Sequence, residues 1–172
     1  MSVTMGGDMS EDRIHRVGIG TDLHRLAPGG PLRLGGVDVD FDRRLSGHSD
    51  GDVVLHAITD ALCGAAGLPD IGEHFPDGDP QQAGRDSGDL LTHVVEEIER
   101  LGYAVANVDV VVHAERPKLS AYKAAMQARI AELVRVPADR VGIKAKTNEG
   151  LDAIGRGEAI GCTAVAGLRN SE

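Results

Sequence analysis

The chain has almost no aromatic side chains from which to build a core. Its 172 residues include two Phe, two Tyr and no Trp, although 41% of all residues are hydrophobic. The core must therefore be packed from aliphatic side chains. A chain of this length fits one globular domain.

Composition also argues against two kinds of partner. With 18 Lys and Arg against 27 Asp and Glu, the net charge is −9. An acidic chain that is poor in aromatics has neither the basic stripe nor the stacking platforms of nucleic-acid binders. No apolar run approaches the roughly 18 residues of a membrane span. We therefore expect no nucleic acid and no membrane among the partners.

The first thirteen residues are polar and contain three acids. They lack the apolar segment of a signal peptide, and the acids count against a transit peptide. We interpret 1–13 as a disordered lead to a cytoplasmic protein, with the folded domain at 14–170. Cys63 and Cys162 lie far apart among small apolar residues, which predicts buried thiols.

The hydrophobic spacing predicts strands and helices in a mixed order. Residues 14–24 alternate as a strand in which Gly18 and Gly20 indicate a close neighbouring backbone. Gly35-Gly36 suits a primed hairpin turn between two short strands, and Ser49 or Asp50 is placed to cap a helix from about residue 53. The remaining prediction is a loop at 69–86, helices at 87–101 and 119–135, and strands at 107–115, 141–147 and 159–168. This order predicts an α+β domain with helices packed on one face of a mixed sheet.

Three side chains have the composition of a metal site. Asp22 and His24 are two apart on a predicted strand and leave the same face, and His56 lies on the following helix. Two nitrogens and one carboxylate form a common catalytic zinc set with an open fourth position. The same spacing also fits a surface strand and a helix His satisfied by its neighbours. Asp60 lies one turn after His56 on the same face. It either orients the His56 imidazole or reaches toward substrate, or it is a solvated helix acid.

The two acidic loops also allow two interpretations each. In HSDGD, His48 either caps a turn or donates to a phosphate, whereas Asp50 and Asp52 are expected to support the turn. The loop 69–79 carries Asp70, Asp77 and Asp79. It is either a solvated acidic loop or a place where carboxylates accept hydrogen bonds from sugar-like hydroxyls.

The segment KAKTNEG (144–150) follows a predicted strand. The Thr147 hydroxyl and nearby N–H groups suit phosphate oxygens, and Glu149 suits a hard divalent cation. Arg156 lies between glycines in GRGE and is either a surface residue or a substrate contact.

Taken together, these motifs resemble one family. The similarity spans about 14–169 and is carried by GIGTDLHRL, LGGVDVDFD, LSGHSDGDVVLHAITDALCGAAGLPDIGEHFPDGDP, NVDVVVHAERPKL, KAKTNEGL and GRGEAI. The sequence resembles the 2-C-methyl-D-erythritol 2,4-cyclodiphosphate synthases, zinc enzymes of non-mevalonate isoprenoid biosynthesis. The resemblance implies that 4-diphosphocytidyl-2-C-methyl-D-erythritol 2-phosphate is cyclised with release of CMP, in a phosphorus–oxygen lyase reaction.

The resemblance also implies roles for individual residues. Zinc would be held by Asp22, His24 and His56, and a second divalent cation, magnesium or manganese, by Glu149. His48 and Thr147 match positions that steady the transition state. The expected substrate contacts are Asp22, His24, His48, Ser49, Asp60, Asp70, Ile71, Gly72, Phe75, Asp77, Asp79, Ala114, Pro117, Lys118, Leu119, Lys146, Thr147, Asn148, Glu149 and Arg156.

The family resemblance further implies a cyclic homotrimer with active sites between subunits. This chain departs from the family pattern at Lys146 and Asn148, where the pattern has Thr, and at Asp152-Ala153, where it has Gly-Phe. None of these changes touches the expected zinc ligands.

Two rival functions differ in class. A zinc-dependent phosphoester hydrolase would direct a water at the phosphorus and release uncyclised products. A non-catalytic module would use the same residues for structural zinc, but such sites usually fill all four positions with protein ligands, and neither Cys is placed to be the fourth.

Overall fold

The computed structural model describes residues 14–47, 49–75 and 85–171. The strands in these ranges are β1 (Arg16–Pro28), β2 (Leu32–Leu34), β3 (Val37–Val39), β4 (Arg43–Leu45), β5 (Tyr103–His113), β6 (Val141–Lys146) and β7 (Ala159–Asn170). The α-helices are α1 (Val53–Ala66), α2 (Ile71–His74), α3 (Ser87–Arg100), α4 (Lys123–Leu133) and α5 (Asp152–Gly155). In the part of the chain so described, none of these helices has the length and apolar character needed to cross a bilayer.

Five strands form one mixed sheet in the order β4-β1-β7-β5-β6. β5 and β6 are parallel, whereas β1 pairs antiparallel with β4 and β7, and β5 pairs antiparallel with β7. β2 and β3 form a separate hairpin whose turn residues Gly35 and Gly36 have φ of +60° and +73°, as expected for a primed turn. The prediction of one α+β domain with a mixed sheet is confirmed.

Helix α1 lies directly against strand β1. A Cβ built on Gly18 would lie 2.0 Å from the carbonyl oxygen of Ala61, and one on Gly20 would lie 2.1 Å from that of Ala57. Only glycine permits so close an approach. The prediction that another backbone passes near these glycines is confirmed.

The opposite face of β1 is open in the single chain. Val17, Ile19 and Leu23 are 60–67% exposed, and Val165 on β7 is 38% exposed. Ile19 and Val165 are register partners, and we call the surface formed by these four apolar side chains the open sheet face. Exposed groups of apolar side chains are typical of surfaces that contact another molecule.

The cap of α1 differs from the prediction. Asp52, rather than Ser49 or Asp50, is the N-cap, and its buried carboxylate accepts hydrogen bonds from the N–H groups of Val54 and Leu55. The same carboxylate accepts from the N–H groups of Gly35 and Gly36 at 2.8 and 2.6 Å. Asp52 therefore joins the hairpin turn to the start of the helix, which sequence spacing does not reveal.

Other predicted elements and boundaries also differ from the structure. The loop at 69–86 contains α2, which Asp70 begins as an N-cap through its hydrogen bond with the N–H of Glu73. β5 begins at Tyr103 rather than residue 107, because a bulge between Val105 and Asn107 interrupts the alternation. β4 and α5 were not predicted, because their three and four residues are too few to show a hydrophobic period. α4 begins at Lys123 instead of 119.

Both cysteines are free and buried, as predicted. Burial raises the pKa of the Cys63 thiol to about 12, so the thiol stays protonated at neutral pH and packs as a small apolar group.

Candidate metal centre and surrounding site

Asp22, His24 and His56 come together where β1 and α1 are in contact. Nε2 of His24 lies 2.8 Å from Oδ2 of Asp22, and Nδ1 of His56 lies 2.9 Å from the same oxygen. The two imidazole centroids are 5.4 Å apart. The side chains of the three residues are between 13% and 25% exposed, so the cluster is partly buried but accessible.

The local sequence explains this convergence. Residues 20, 22 and 24 point to the same face of β1, and Gly20 lets α1 approach that face. His56 lies one residue before Ala57, the residue whose carbonyl faces Gly20. The same close contact that packs the helix therefore brings its His to the two strand ligands.

The electrostatics of the cluster favour a charged carboxylate. Burial raises the pKa of Asp22, but the hydrogen bonds with His24 and His56 outweigh it and hold this pKa well below the ordinary value. The hydrogen bond with Asp22 is in turn the main reason why the pKa of His24 is raised. An anionic Asp22 beside two imidazoles is a suitable set of donor atoms for a divalent cation.

The donor atoms also fit a metal ion by distance. One ligand atom from each of the three residues lies within 4.8 Å of the other two. Nδ1 of His24 is 2.9 Å from the backbone oxygen of Ser46, which fixes the ring orientation and leaves Nε2 toward the cluster. Metal-bound histidines are typically held in this way through their second nitrogen. The cluster therefore fits a divalent metal with an open coordination position.

A second group of polar side chains contacts His56 at Nε2, the ring nitrogen that does not face Asp22. Its Nε2 lies 2.8 Å from the hydroxyl of Ser87 and 3.0 Å from that of Ser49. Ser87 donates to the carboxylate of Asp50. The family resemblance implied a substrate contact for Ser49, and Asp50 was expected to support its turn. Nothing in the sequence pattern distinguishes Ser87, because a Ser at the start of a helix is ordinarily a capping residue.

Asp60 connects α1 to the loop that follows it. Its Oδ1 accepts a hydrogen bond from the N–H of Ile71 at 2.8 Å, and burial raises its pKa. Ile71 and Gly72, at the start of α2, are thereby held beside the helix that carries His56. Three of the expected site residues, His48, Asp77 and Asp79, lie outside the described residues.

Phe75 is a core residue in the single chain. It is 8% exposed and its ring packs against the rings of His74 and His93, with centroids 5.4 and 5.8 Å away. The guanidinium of Arg85 lies 5.6 Å over the same ring. These contacts anchor the end of the loop next to α3.

A second group of expected site residues gathers at the end of β6. The Thr147 hydroxyl donates to Glu149 at 3.3 Å, and the N–H of Asn148 donates to Glu115. The N–H of Ala114 donates to the oxygen of Lys146, which joins this turn to the segment that contains Pro117, Lys118 and Leu119. Glu149 has a φ of +52°, and non-glycine residues in this region occur often at functional sites.

Asp152, at one of the expected departures from the family pattern, has a φ of +57°. Its carboxylate compensates by accepting from the N–H of Ile154 at 2.8 Å and from the Asn148 amide at 2.9 Å. Arg156 forms a two-point ion pair with Glu158 and lines an open cavity that also includes Glu115 and Arg116.

The two groups lie at the same end of the sheet but on different strands. His24 pairs with Ile160, His113 pairs with the adjacent Gly161, and His113 also pairs with Lys146. β1 and β6 are therefore three strand spacings apart, about 14 Å at 4.8 Å each. The structure brings Asp22, His24, His56 and Ser49 together, and Ala114, Lys146, Thr147, Asn148 and Glu149 together, but does not join the two groups within one chain.

Comparison with known proteins agrees with this arrangement. The model of the YgbB family matches residues 15–169. The 2-C-methyl-D-erythritol 2,4-cyclodiphosphate synthase of Rhodopirellula baltica is 49% identical over 153 residues, which are 89% of this chain and 92% of that protein.

Two solved structures share the fold. IspF of Plasmodium falciparum in complex with CDP has a TM-score of 0.80 at 32% identity, and the match covers 91% of this chain and 97% of that one. The bifunctional IspDF of Campylobacter jejuni has a TM-score of 0.88 at 38% identity, but this chain, 91% covered, spans only 42% of its length. On this evidence the chain belongs to the YgbB family, the family of the 2-C-methyl-D-erythritol 2,4-cyclodiphosphate synthases.

Proposed function

We propose that this protein converts 4-diphosphocytidyl-2-C-methyl-D-erythritol 2-phosphate to 2-C-methyl-D-erythritol 2,4-cyclodiphosphate and CMP. The observation that carries the proposal is the Asp22, His24 and His56 cluster in a chain with relatives of that name. An oxygen of the 2-phosphate attacks the β-phosphorus, and the bond from that phosphorus to the bridging oxygen breaks. CMP leaves with the electron pair, so the reaction consumes no water.

The main physical difficulty of this reaction is charge, because one phosphate anion must approach another. The attacking phosphate is already ionised, so no strong general base is required. Positioning and charge neutralisation then account for most of the rate, as in phosphoryl transfer generally. The absence of a nucleophile-and-base pair among the proposed site residues is consistent with this mechanism.

We assign zinc to Asp22, His24 and His56, and a second cation, magnesium or manganese, to Glu149. When bound, the two ions would neutralise the diphosphate as Lewis acids and hold its phosphates in line. As zinc ligands, Asp22 and His24 would place that ion against the β-phosphate from one side, and Thr147 donates its hydroxyl to the phosphate from the other. His48 is proposed to steady the transition state with Thr147.

The remaining residues bind the two ends of the substrate. We propose that Ser49 and Asp60, together with the segments 70–72 and 75–79, hold the methylerythritol phosphate. The segment from Ala114 to Leu119, with Lys118, takes the cytidine nucleotide, in line with the CDP bound by the Plasmodium relative. Lys146, Asn148 and Arg156 are proposed to contact the phosphates of the substrate.

We further propose a cyclic homotrimer in which each site is shared between two chains. Two observations support it. The metal cluster and the Glu149 group are about 14 Å apart in one chain by strand spacing, too far to act on one diphosphate. The open sheet face exposes Ile19 and Leu23, which a neighbouring chain would bury.

The test is incubation with the cytidine substrate, zinc and magnesium, followed by phosphorus NMR. We expect equal amounts of CMP and cyclic diphosphate, and no product after removal of metal with a chelator. A zinc-dependent hydrolase would instead give uncyclised phosphates and incorporate ¹⁸O from labelled water. A module with structural zinc would bind the metal and form neither product.

A further inference from the structure

A partly buried chain of hydrogen bonds leads away from the metal cluster. Nε2 of His56 lies 2.8 Å from the Ser87 hydroxyl, and that hydroxyl is in contact with Asp50. Ser87 is fully buried. Ser87 and Asp50 belong to neither group of residues expected from the family resemblance.

The direction of each hydrogen bond in this chain follows from what its members can donate. A carboxylate only accepts, so the hydroxyl hydrogen of Ser87 must point to Asp50. The Ser87 oxygen then has only lone pairs to offer His56, so Nε2 of His56 must carry a hydrogen. With Nε2 protonated, Nδ1 of His56 is the nitrogen that presents a lone pair to a metal.

Asp50 is itself held as an acceptor from several sides. Its carboxylate accepts from the N–H of Ser87 and from the N–H of Asp52, both at 3.2 Å. Nε of Arg33 lies 3.8 Å from the same group, and a second Arg33 nitrogen lies 3.5 Å from Asp86. The two N–H groups hold the carboxylate oxygens in place beside the Ser87 hydroxyl.

We propose that Asp50 and Ser87 are positioning residues that set the tautomer and orientation of His56 for zinc. The inference rests on the proposed zinc site, and it assigns to the start of α3 a function in a centre formed by β1 and α1. Ser49 also lies near Nε2, at 3.0 Å, but no carboxylate fixes its hydroxyl. We therefore expect Ser87 to have a larger effect than Ser49 on the orientation of His56 and on zinc affinity.

The variants Ser87→Ala, Ser49→Ala and Asp50→Asn test this, with zinc affinity measured by competition with a chromophoric chelator. We expect Ser87→Ala to weaken zinc binding by about 10- to 100-fold, as losses of a ligand's hydrogen-bond partner generally do, and Ser49→Ala to weaken it less. Thr92→Val is the matched control, because the Thr92 hydroxyl bonds only within α3, to the oxygen of Gly88. It should bind zinc as the unmodified protein does.

The double variant that combines Asp50→Asn with Ser87→Ala distinguishes a relay, in which Asp50 acts on His56 through Ser87, from two independent effects. If Asp50 acts through Ser87, Asp50→Asn should weaken zinc binding strongly alone but add little to Ser87→Ala. In zinc-loaded protein labelled with ¹⁵N-histidine, the slowly exchanging Nε2 proton of His56 should exchange faster after Ser87→Ala. Ser87→Thr, which keeps the hydroxyl, should restore both readouts.

Three results would contradict the inference. Equal zinc affinity in Ser87→Ala and Thr92→Val, or multiplicative effects of Asp50→Asn and Ser87→Ala, would refute the relay while leaving the zinc site intact. If the unmodified protein itself bound no zinc while forming the cyclic product, the metal assignment would be wrong and the relay with it.

Discussion

Gly20 faces the backbone oxygen of Ala57 so closely that a methyl group there would lie 2.1 Å from it. The same Cβ would lie 2.6 Å from the backbone nitrogen of Ala61. Neither backbone group can move without moving the helix. This contact therefore sets the separation of β1 and α1, and with it the distance from His56 to Asp22 and His24.

We expect Gly20→Ala to lower both stability and metal affinity. The added methyl must push α1 away from β1, which costs about 1–3 kcal/mol in a packed core and separates the ligands. Gly64→Ala is the matched control on the same helix, since its Cβ would meet no atom closer than 3.9 Å. Replacing that helical glycine should raise stability by up to about 1 kcal/mol. Urea unfolding and zinc titration of both variants check this. Equal stability and equal zinc affinity in the two variants would show that the contact of Gly20 with Ala57 does not set the geometry of the metal site.

Removal of His56 tests the metal set directly. His56→Ala should lower zinc content well below one per chain and abolish CMP release, because two ligands hold zinc far less tightly than three. His93→Ala is the control, since His93 lies on α3 and contacts Glu97 and Phe75 instead of the cluster. Full zinc occupancy in His56→Ala, measured by metal analysis, would remove His56 from the ligand set.

The parts of the fold that the sequence predicted are those with a repeating signal or a fixed local chemistry. The alternation around Asp22 and His24 placed both on one strand face, and Gly35-Gly36 specified a turn. The contact of Asp52 with the hairpin and the contact of Ser87 with Asp50 escaped prediction because they join segments 16 and 37 residues apart. Such pairings arise from tertiary packing, which a single sequence does not encode in its local pattern.

The two proposed metals should respond separately to Glu149→Gln. This change removes a charged ligand from the second cation only, so zinc content should be unchanged while the magnesium concentration needed for activity rises. Glu132→Gln on α4, where Glu132 pairs with Arg129, is the control. Loss of zinc with an unchanged magnesium requirement would mean that Glu149 serves the first ion.

The metal-free protein should lose stability at both ends of the pH range. Because Asp22 raises the pKa of His24 above 6.5, the contribution of protonated His24 is complete below about pH 6.5 and is lost as pH rises through the raised pKa. Because the pKa of Asp22 is lowered from 3.8, its contribution is present above that value and is lost as pH falls further.

Urea unfolding of chelator-treated protein from pH 5.5 to 8.5 gives the free energy of unfolding of the unmodified protein and of His24→Gln. The difference between the two values is the contribution of His24. That difference should shrink as pH rises. Zinc-loaded protein should show the opposite slope, since protons compete with the metal for the ligands. A difference that grows with pH in the metal-free protein would show that the His24–Asp22 pair does not stabilise the fold.

The proposed sharing of sites between chains can be tested with two inactive variants. His56→Ala destroys the zinc half and Glu149→Ala destroys the half that carries the second cation. A cyclic trimer has heterologous interfaces, in which each chain offers different surfaces to its two neighbours. An intact site therefore forms wherever a Glu149→Ala chain supplies the zinc half and a His56→Ala chain supplies the glutamate.

With equal, random mixing, this pairing occurs at about one quarter of the sites in a closed ring. Co-refolding the two variants should restore about that share of the activity, whereas each variant refolded alone should stay inactive. Mixed assembly is verified by native mass spectrometry of chains with different tags. A third variant, Ile19→Lys on the open sheet face, should prevent both assembly and recovery, because Ile19 is 67% exposed in the single chain and would be buried by a neighbour in the proposed trimer. Verified mixed trimers that recover no activity would place each site within one chain.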